Sequence, residues 1–313
     1  MRFSIWPATS EPWEDFLEAA THAAATGWDG VWAADHFMPA APPADGPMLE
    51  CFTVLSAVAA TVPRVRIGPL VTGNTYRHPT VLAKMAATLD HVSGGRVVLG
   101  LGAGWQQNEH AAYGIELHDV AGRLARLDEA CAVVRHLLDD ARSNFEGRFY
   151  TLTDAPAEPK PIQAHLPLLI GGGGEKVTLR IVARWADEWN TWGLPHVLAA
   201  KGAVLERHCE AIGRDPAAIA RSAQVLFELD GTWDPQMPRR QGFPTASGSV
   251  AELQELLGAF SEAKVHEVVV PDWNLGTGPA RREAMDRFIE EVAGPFREGR
   301  PREDPGSRET ASA

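Results

Sequence analysis

The sequence predicts an α/β protein, because short apolar runs alternate with amphipathic helical segments along almost the whole chain of 313 residues. Eight such units in strict alternation, with strands that are apolar nearly throughout, favour a closed parallel barrel over an open doubly wound sheet. The open sheet also lacks its fingerprint, since no G-x-G-x-x-G follows the first strand. We therefore predict a single (β/α)8 TIM barrel over residues 1–296 and a disordered polar tail over residues 297–313.

Eight segments are predicted to be the strands of this barrel. In chain order they are RFSIW from Arg2, GVWAAD from Gly30, RVRIGPLVTG from Arg64 or Val65, GRVVLGLG from Gly95, PLLIGG from Pro167, DEWNTWG from Asp187, SAQVLFEL from Ser222 and HEVVV from His266. A segment with apolar residues at every third or fourth position follows each strand, as in Val250, Leu253, Leu257 and Phe260. The pattern predicts one helix after each strand.

The first helix and two loops carry recognisable local signals. Ser10 is predicted to cap the helix, Pro12 suits its first turn, and Gly27 can end it. Residues 38–47 and 230–247 are rich in proline and glycine and follow strands two and seven. These loop insertions are therefore predicted at the C-terminal face, where barrel active sites are built.

The composition disfavours several classes of partner. A formal net charge of −12 at pH 7 repels nucleic acid and anionic membranes. The opening segment MRFSIWPATS lacks the features of a signal peptide, and no apolar run approaches the roughly 20 residues that span a bilayer. Cys51, Cys131 and Cys209 are far apart and odd in number, which is atypical of disulfide or zinc frameworks. We expect a cytoplasmic protein that binds a small molecule and no metal.

Asp35 and His36 directly follow the second predicted strand, on the functional face of a barrel. We predict that His36 transfers a proton or holds the reacting group and that Asp35 orients it. Strand four ends in Gly104 and Trp105 and offers no acid. No G-x-S-x-G elbow, H-E-x-x-H motif or metal-ligand spacing is present, so the pattern favours an enzyme that uses an organic cofactor.

Two further features are expected near the site. Pro69 removes an N–H group inside the third strand and Gly73 follows four residues later, so we predict a bulge between them. Trp6, Trp105 and Trp192 could line a pocket for a flat conjugated ring, or they are simply part of the core.

The segment LLIGGGGEKVTLR, residues 168–180, places four glycines before a helix predicted to begin at Glu175 or Lys176. It is not a Walker loop, because no G-K-[ST] ends it, and lysine at position 176 breaks the dinucleotide fingerprint. Free N–H groups and absent Cβ atoms suit a phosphate, which we predict against the N–H groups of Gly173 to Lys176. A flexible turn that closes strand five is the alternative. Positive charge nearby comes from Lys176, Arg180 and Arg184.

Three segments resemble the luciferase-like flavin-dependent oxidoreductases, specifically the branch that uses the deazaflavin coenzyme F420. They are GWDGVWAADHF (27–37), RIGPLVTGNTYRHPTVLAKMAATLDHVSGGRVVLGLGAGWQQNEHAAYGI (66–115) and PLLIGGGGEKVTLRIVARWADEWN (167–190). The resemblance implies a barrel with the coenzyme ring at its C-terminal mouth. It also implies that a hydride passes between ring carbon five and a small organic substrate.

The resemblance further implies which residues hold the coenzyme. It places a non-prolyl cis peptide bond at Leu70–Val71 behind the ring, and it matches the family's Asp-His pair and glycine phosphate turn. Coenzyme contacts are accordingly predicted at Leu70, Val71, Thr72, Asn74, Tyr76, Gly102, Trp105, Gly172, Gly173, Gly174, Glu175 and Lys176.

Two positions depart from the sugar-phosphate dehydrogenases of this branch. Trp105 stands where those enzymes place a glutamate proton donor, and Ala40 stands where they place a tryptophan. A sugar-phosphate substrate is therefore disfavoured and the proton donor is not identified. An FMN-dependent monooxygenase and a non-catalytic deazaflavin-binding protein are the alternatives. Dimers are common in the resembling family, so a homodimer is expected.

Overall fold

A computed structural model describes residues 1–40, 42–230 and 242–297. Residues 231–241 of the predicted loop 230–247, and the predicted tail beyond residue 297, lie outside the described residues. The strands are β1 (Arg2–Trp6), β2 (Gly30–Ala33), β3 (Arg66–Pro69), β4 (Thr72–Gly73), β5 (Leu99–Gly102), β6 (Ser143–Glu146), β7 (Thr151–Ala155), β8 (Leu168–Gly171), β9 (Glu188–Trp192), β10 (Ala220–Gln224), β11 (Leu226–Leu229), β12 (Thr245–Gly248) and β13 (Glu267–Pro271).

Nine α-helices lie in the described part of the chain. They are α1 (Trp13–Thr26), α2 (Cys51–Thr61), α3 (Pro79–Ser93), α4 (Gln107–Tyr113), α5 (Val120–Asp139), α6 (Thr178–Trp185), α7 (Pro195–Ala211), α8 (Val250–Glu262) and α9 (Gly278–Arg287). Two helices, α4 and α5, follow β5 where one was predicted. None of the described helices is long and apolar enough to cross a membrane.

The predicted barrel is confirmed. Nine parallel strand segments pair in the order β3-β2-β1-β13-β10-β9-β8-β5-β4. The two end segments, β3 and β4, are halves of the third predicted strand, so β2 pairs with its first half and β5 with its second. A parallel bridge between Ile67 and Val97 completes the closure. The sheet is thus an eight-stranded barrel with one interrupted strand.

Two predicted strands divide in the structure. The third breaks between Pro69 and Thr72, and the peptide bond between Leu70 and Val71 is cis, as the resemblance implies. The seventh divides into β10, which stays in the barrel, and β11, which pairs in parallel with β12. The β6–β7 hairpin, which the sequence pattern did not predict, connects α5 to β8.

Helix α1 differs from the prediction at its N-terminus but not at its C-terminus. The helix begins at Trp13 with Pro12 at its N-cap, so Ser10 does not cap it. Gly27 ends it in the left-handed conformation with φ of 92°, as predicted.

Four charged side chains close the amino end of the barrel, each at the first position of its strand: Arg2, Arg66, Glu188 and Glu267. Glu267 is fully buried and accepts from Arg66 Nη1 at 2.7 Å and Arg2 Nε at 3.2 Å. Burial raises the pKa of Glu267, but the two arginines outweigh it and the pKa is lowered. We call these four residues the floor network.

Candidate functional site

Asp35 lies just beyond β2 at the carboxyl end of the barrel and is buried. Its carboxylate accepts two hydrogen bonds from the Arg77 guanidinium, at 2.7 and 3.1 Å, and Arg77 also contacts Glu50 at 2.5 Å. Burial is the largest influence on Asp35 and raises its pKa despite the attraction of Arg77. The hydrogen bonds of Asp35 therefore go to Arg77, whereas its predicted partner was His36.

The imidazole of His36 has a different carboxylate as its partner. Its Nδ1 lies 2.8 Å from Oε1 of Glu109, which is fully buried, while the His36 side chain is 22% exposed. Glu109 lies in the first turn of α4, four residues beyond Trp105. The sequence reasoning missed this acid because it considered only the residues that end strand four. A glutamate in a short helix directly after that strand was the available signal.

Glu109 accepts hydrogen bonds from three groups. Besides His36, the backbone N–H of Phe37 donates to Oε2 at 2.7 Å, and the Tyr76 hydroxyl donates to Oε1. Burial raises the pKa of Glu109, but these hydrogen bonds outweigh burial and lower it. Burial and the contact with Glu109 raise the pKa of Tyr76. The geometry thus describes an ionised carboxylate that joins the loop after β2 to the segment after β4.

The interrupted strand supplies polar atoms to the same mouth. Thr72 and Asn74 are buried, and neither Thr72 Oγ1 nor Asn74 Oδ1 has a hydrogen-bond partner within the described residues. The amide nitrogen of Asn74 lies 3.3 Å from the Tyr150 hydroxyl. Buried polar atoms without protein partners are rare in folded proteins and usually bind water, an ion or a ligand.

Two glycines leave room for the side chain of Val71, which follows the cis peptide bond. A Cβ atom at Gly102 or at Gly171 would lie 2.8 Å from Cγ2 of Val71, which is too close for a carbon–carbon contact. Val71 of the interrupted third strand therefore packs directly against Gly171, the last residue of β8, where the glycine turn begins. Gly172 extends this turn with φ of 130°, a conformation that favours glycine.

The glycine turn leads to a helix that begins later than predicted. Helix α6 starts at Thr178, not at Glu175 or Lys176, because residues 175–177 form a turn. The N–H groups of Gly173 and Gly174 have no hydrogen-bond partner within the described part of the chain. Backbone donors are thus available at the turn, although they precede the helix itself.

A lysine from another helix brings positive charge to this turn. Lys201 in α7 donates from Nζ to the Gly173 carbonyl at 2.7 Å and lies 3.4 Å from the Glu175 carboxylate. Arg184, which was predicted to contribute charge, instead forms an ion pair with Asp128 at 2.9 Å. Sequence reasoning missed Lys201 because it lies 27 positions after Gly174 on a different helix.

The three tryptophans predicted to line one pocket lie in two places. Trp6 and Trp192 pack together with ring centroids 5.8 Å apart, and Trp273 lies 5.0 Å from Trp6. Trp105 is 61% exposed and its ring meets the edge of His36 at 5.4 Å. The first group packs around a buried cluster that includes Leu70, and it lies at the carboxyl end of the barrel, because Trp6 and Trp192 are the last residues of β1 and β9.

Comparison with known proteins identifies the family of this chain. The family description "Luciferase-like monooxygenase" matches residues 1–232. An F420-dependent glucose-6-phosphate dehydrogenase of Amycolatopsis mediterranei is 37% identical over 173 residues, which are 55% of this chain and 50% of that protein. The pyrimidine monooxygenase RutA of Escherichia coli is 33% identical over 264 residues, 78% of this chain and 70% of that protein. The chain thus spans about half the length of the first relative.

Solved structures match over almost the whole barrel. An F420-dependent secondary alcohol dehydrogenase, in complex with an F420-acetone adduct, superposes with a TM-score of 0.80 at 22% identity and covers 93% of this chain and 98% of that one. A coenzyme F420-dependent tetrahydromethanopterin reductase from Methanopyrus kandleri gives 0.79 at 19% identity, with coverage of 95% and 99%. At these identities the likeness shows the fold. The family match over residues 1–232 establishes that this chain belongs to the luciferase-like monooxygenase family.

Proposed function

We propose that the protein is an F420-dependent oxidoreductase that transfers a hydride between the deazaflavin coenzyme and a small organic substrate. The observation that carries the proposal is the convergence of three features at one mouth: the break between β3 and β4, the atoms of Thr72 and Asn74 without partners in the described residues, and the His36 imidazole. The names of the relatives support the same chemistry, since F420-dependent dehydrogenases occur among both the sequence and the structure matches.

The residues at the mouth fit such a coenzyme. Leu70 and Val71 would back the ring, and Thr72 and Asn74 offer buried polar atoms that lack partners. When bound, the deazaflavin would supply or accept a hydride at ring carbon five. Coenzyme contacts are also proposed for Tyr76, Gly102, Trp105, Gly172, Gly173, Gly174, Glu175 and Lys176.

The phosphate of the coenzyme would lie at the glycine turn. Gly173 and Gly174 present backbone N–H groups without partners, and the Lys201 ammonium lies beside them. A cation next to free backbone donors suits an anion even though helix α6 begins several residues later. Lys201 therefore joins the set of proposed contacts.

The catalytic proposal concerns His36, which would exchange a proton with the substrate, while Asp35 and Arg77 hold the loop after β2. Trp105 places an aromatic ring beside His36, where the resembling sugar-phosphate enzymes have an acid. An aromatic wall suits an apolar or flat substrate better than a sugar phosphate. We therefore propose an uncharged organic substrate.

Binding experiments with the apoprotein test this proposal. Oxidised F420 and FMN are titrated separately, and ligand fluorescence is followed. We expect F420 to bind at least tenfold more tightly than FMN, a difference of about 1.4 kcal/mol. Tight binding of FMN alone would instead support a flavin monooxygenase, the activity that the name of the Escherichia coli relative states.

Turnover separates catalysis from simple binding. Reduced F420 is mixed with the protein and a panel of carbonyl compounds, enones, imines and nitro compounds, and its oxidation is followed by absorbance. We expect at least one member of the panel to be reduced. A protein that binds F420 but oxidises it with no member of a broad panel would be a carrier.

We also propose a homodimer that acts in the cytoplasm. An apolar surface on α3 includes Val81 and Val92, which are 52% and 47% exposed, and adjoins a shallow cavity lined by Phe52 and Met85. A second copy of the chain would cover it. Light scattering should report twice the chain mass, and Val81→Lys together with Val92→Lys should give monomers.

The cytoplasmic location is supported by the three buried cysteines, which form no disulfide and so agree with a reducing compartment.

A further inference from the structure

His36 has one ring nitrogen in contact with protein and one without a partner. Nδ1 contacts Glu109, whereas Nε2 has no hydrogen-bond partner in the part of the chain that the structure describes. The ring edge packs against Trp105, and the side chain retains 22% exposure. Nε2 is therefore the nitrogen that remains available for a ligand at the mouth.

The surroundings of Glu109 decide where the proton of His36 lies. An ionised carboxylate can only accept hydrogen bonds, so the contact with Nδ1 requires a proton on that nitrogen. The other charged and titratable groups around the pair are Tyr76, which donates to Glu109, and Asp35, which Arg77 neutralises. Neither offers His36 an alternative acceptor at Nδ1.

We propose that Glu109 is a positioning residue that holds the proton of His36 on Nδ1 and so leaves Nε2 to exchange a proton with the substrate. This inference rests on the proposed function, and it assigns the proton route that the tryptophan at position 105 leaves open. Glu109 does not touch the substrate in this scheme. It acts through the imidazole, as carboxylates do when they orient a catalytic histidine.

The proton and electron balance is simple for a carbonyl substrate. In the reductive direction the carbonyl carbon receives a hydride from reduced F420, and the carbonyl π electrons move to oxygen. The oxygen takes the Nε2 proton of the imidazolium, which leaves neutral His36 with its remaining proton on Nδ1. The substrate becomes an alcohol and the coenzyme is oxidised. The oxidative direction reverses each transfer, with Nε2 as the base.

Replacement of Glu109 by glutamine should move the proton of neutral His36 from Nδ1 to Nε2. The Phe37 N–H is a fixed donor, so the glutamine oxygen has to face it and the amide NH2 then faces His36 and Tyr76. A donor at this position needs an unprotonated Nδ1, so the single proton of neutral His36 moves to Nε2. The nitrogen that faces the mouth then loses its ability to accept a proton.

Nitrogen NMR of the apoprotein tests the tautomer without coenzyme. Long-range proton–nitrogen spectra of protein with labelled histidine are recorded at alkaline pH, and His36→Asn assigns the signal. We expect the proton on Nδ1 in the natural protein, on Nε2 in Glu109→Gln, and on Nδ1 in the matched control Glu50→Gln. Glu50 is a carboxylate of the neighbouring cluster that contacts Arg77 and not His36.

Two results would overturn the inference: a proton on Nε2 in the natural protein, or an unchanged tautomer in Glu109→Gln. Should Glu109→Gln fail to fold, Tyr76→Phe provides a second test. It removes a competing donor from Glu109, so the Nδ1 proton should remain and its resonance should move downfield. Loss of the Nδ1 proton in that variant would equally contradict the proposal.

Kinetics distinguish a positioning role from a structural one. With F420 and a reducible substrate, Glu109→Gln should lower kcat by about 100-fold with little change in KM, since proton transfer is impaired and binding is not. A rise in KM with unchanged kcat would contradict the inference. If the protein binds no F420 while the natural tautomer is Nδ1–H, the proposed function fails and the Glu109–His36 pair stands.

Discussion

The two ends of the barrel both bury carboxylates beside arginines, but they use them differently. In the floor network, Glu267 accepts from Ser4 and Trp32 through Oε1 and from Arg2 and Arg66 through Oε2. Every charge there has an opposite charge within 4 Å. The network holds four strands together. Its one oxygen without a hydrogen bond in the described residues, Glu188 Oε2, still lies 3.6 Å from the Arg2 guanidinium.

The mouth has similar ion pairs but leaves polar atoms without partners in the described residues. Asp35 and Glu109 are satisfied by Arg77 and by three hydrogen-bond donors, yet Thr72 Oγ1, Asn74 Oδ1 and His36 Nε2 are not. Leaving buried polar groups unpaired costs stability, which a ligand can restore. The difference indicates that the floor serves folding and the mouth serves binding.

Substitution in the floor should have the largest effect. Glu267→Gln leaves Arg2 and Arg66 with Glu188 as their only carboxylate, so we expect the free energy of unfolding to fall by about 3–5 kcal/mol. Urea denaturation measures this change. The exposed pair Arg142–Asp154 supplies the control, since Asp154→Asn should cost less than about 1 kcal/mol. Equal effects of the two substitutions would remove the distinction between floor and surface.

A carboxylate at the rim of the mouth should make stability depend on pH. Burial is the main influence on Asp272 and, against the attraction of Arg281, raises its pKa from 3.8 to about 7. A raised pKa means that the folded protein retains a proton which the unfolded chain releases. The resulting stabilisation is complete below pH 3.8 and is lost as the pH rises through 7.

Asp272→Asn should abolish this component. Between pH 5 and 7 the free energy of unfolding of the natural protein should fall relative to the variant by up to about 1.4 kcal/mol per pH unit. Above pH 8 the difference between the two proteins should become constant. Urea titrations at unit intervals of pH measure it, and a difference that does not vary between pH 5 and 7 would contradict the assignment.

Substitution in the glycine turn should affect binding more than folding. A Cβ atom at Gly173 would lie 3.0 Å from Thr191 Oγ1 and 3.1 Å from Lys201 Cε, so Gly173→Val should displace Lys201. We expect F420 affinity to fall by about 10- to 100-fold, or about 1.4–2.7 kcal/mol, with a smaller loss of stability. Fluorescence titration and urea denaturation of the same preparation provide both numbers.

The matched control for the turn is a glycine with open space around it. Gly258 lies within α8, and a Cβ atom there meets nothing within 4 Å. Gly258→Ala should raise the free energy of unfolding by about 0.5–1 kcal/mol and leave F420 binding unchanged. If Gly173→Val lowered the free energy of unfolding by more than it weakened the free energy of F420 binding, the turn would have a structural role.

The smallest effect is expected at Asn74. Its Oδ1 atom has no partner in the described chain and its amide makes one 3.3 Å contact, so Asn74→Ala should hardly change stability. F420 affinity should fall by about three- to tenfold, because one buried hydrogen bond is lost. Asn144→Ala should show the opposite pattern, since its Oδ1 accepts from the Asp154 N–H in the distant hairpin.

Sequence reasoning located the ends of the barrel strands, and with them Asp35, His36 and the interruption of the third strand. It succeeded there because each of these residues lies in or next to a predicted strand, so the apolar pattern that predicts the strand also predicts where it ends. It failed for Glu109 and Lys201, which reach the site from α4 and α7. Helix starts were also misplaced, by two residues at Ser10 and by two or three at the glycine turn, since short turns precede both helices.

The sequence by itself determined the alternation of strands and helices, because the periodicity of apolar residues is a local property that burial selects. It also determined where the backbone departs from a regular strand, through Pro69 and the glycine turn. Only the tertiary structure decided the partners of the charged groups. His36 meets Glu109 across 73 positions and Asp35 meets Arg77 across 42. Such pairs form because the closed barrel brings the ends of particular strands together. No local feature of the sequence shows which strands these are.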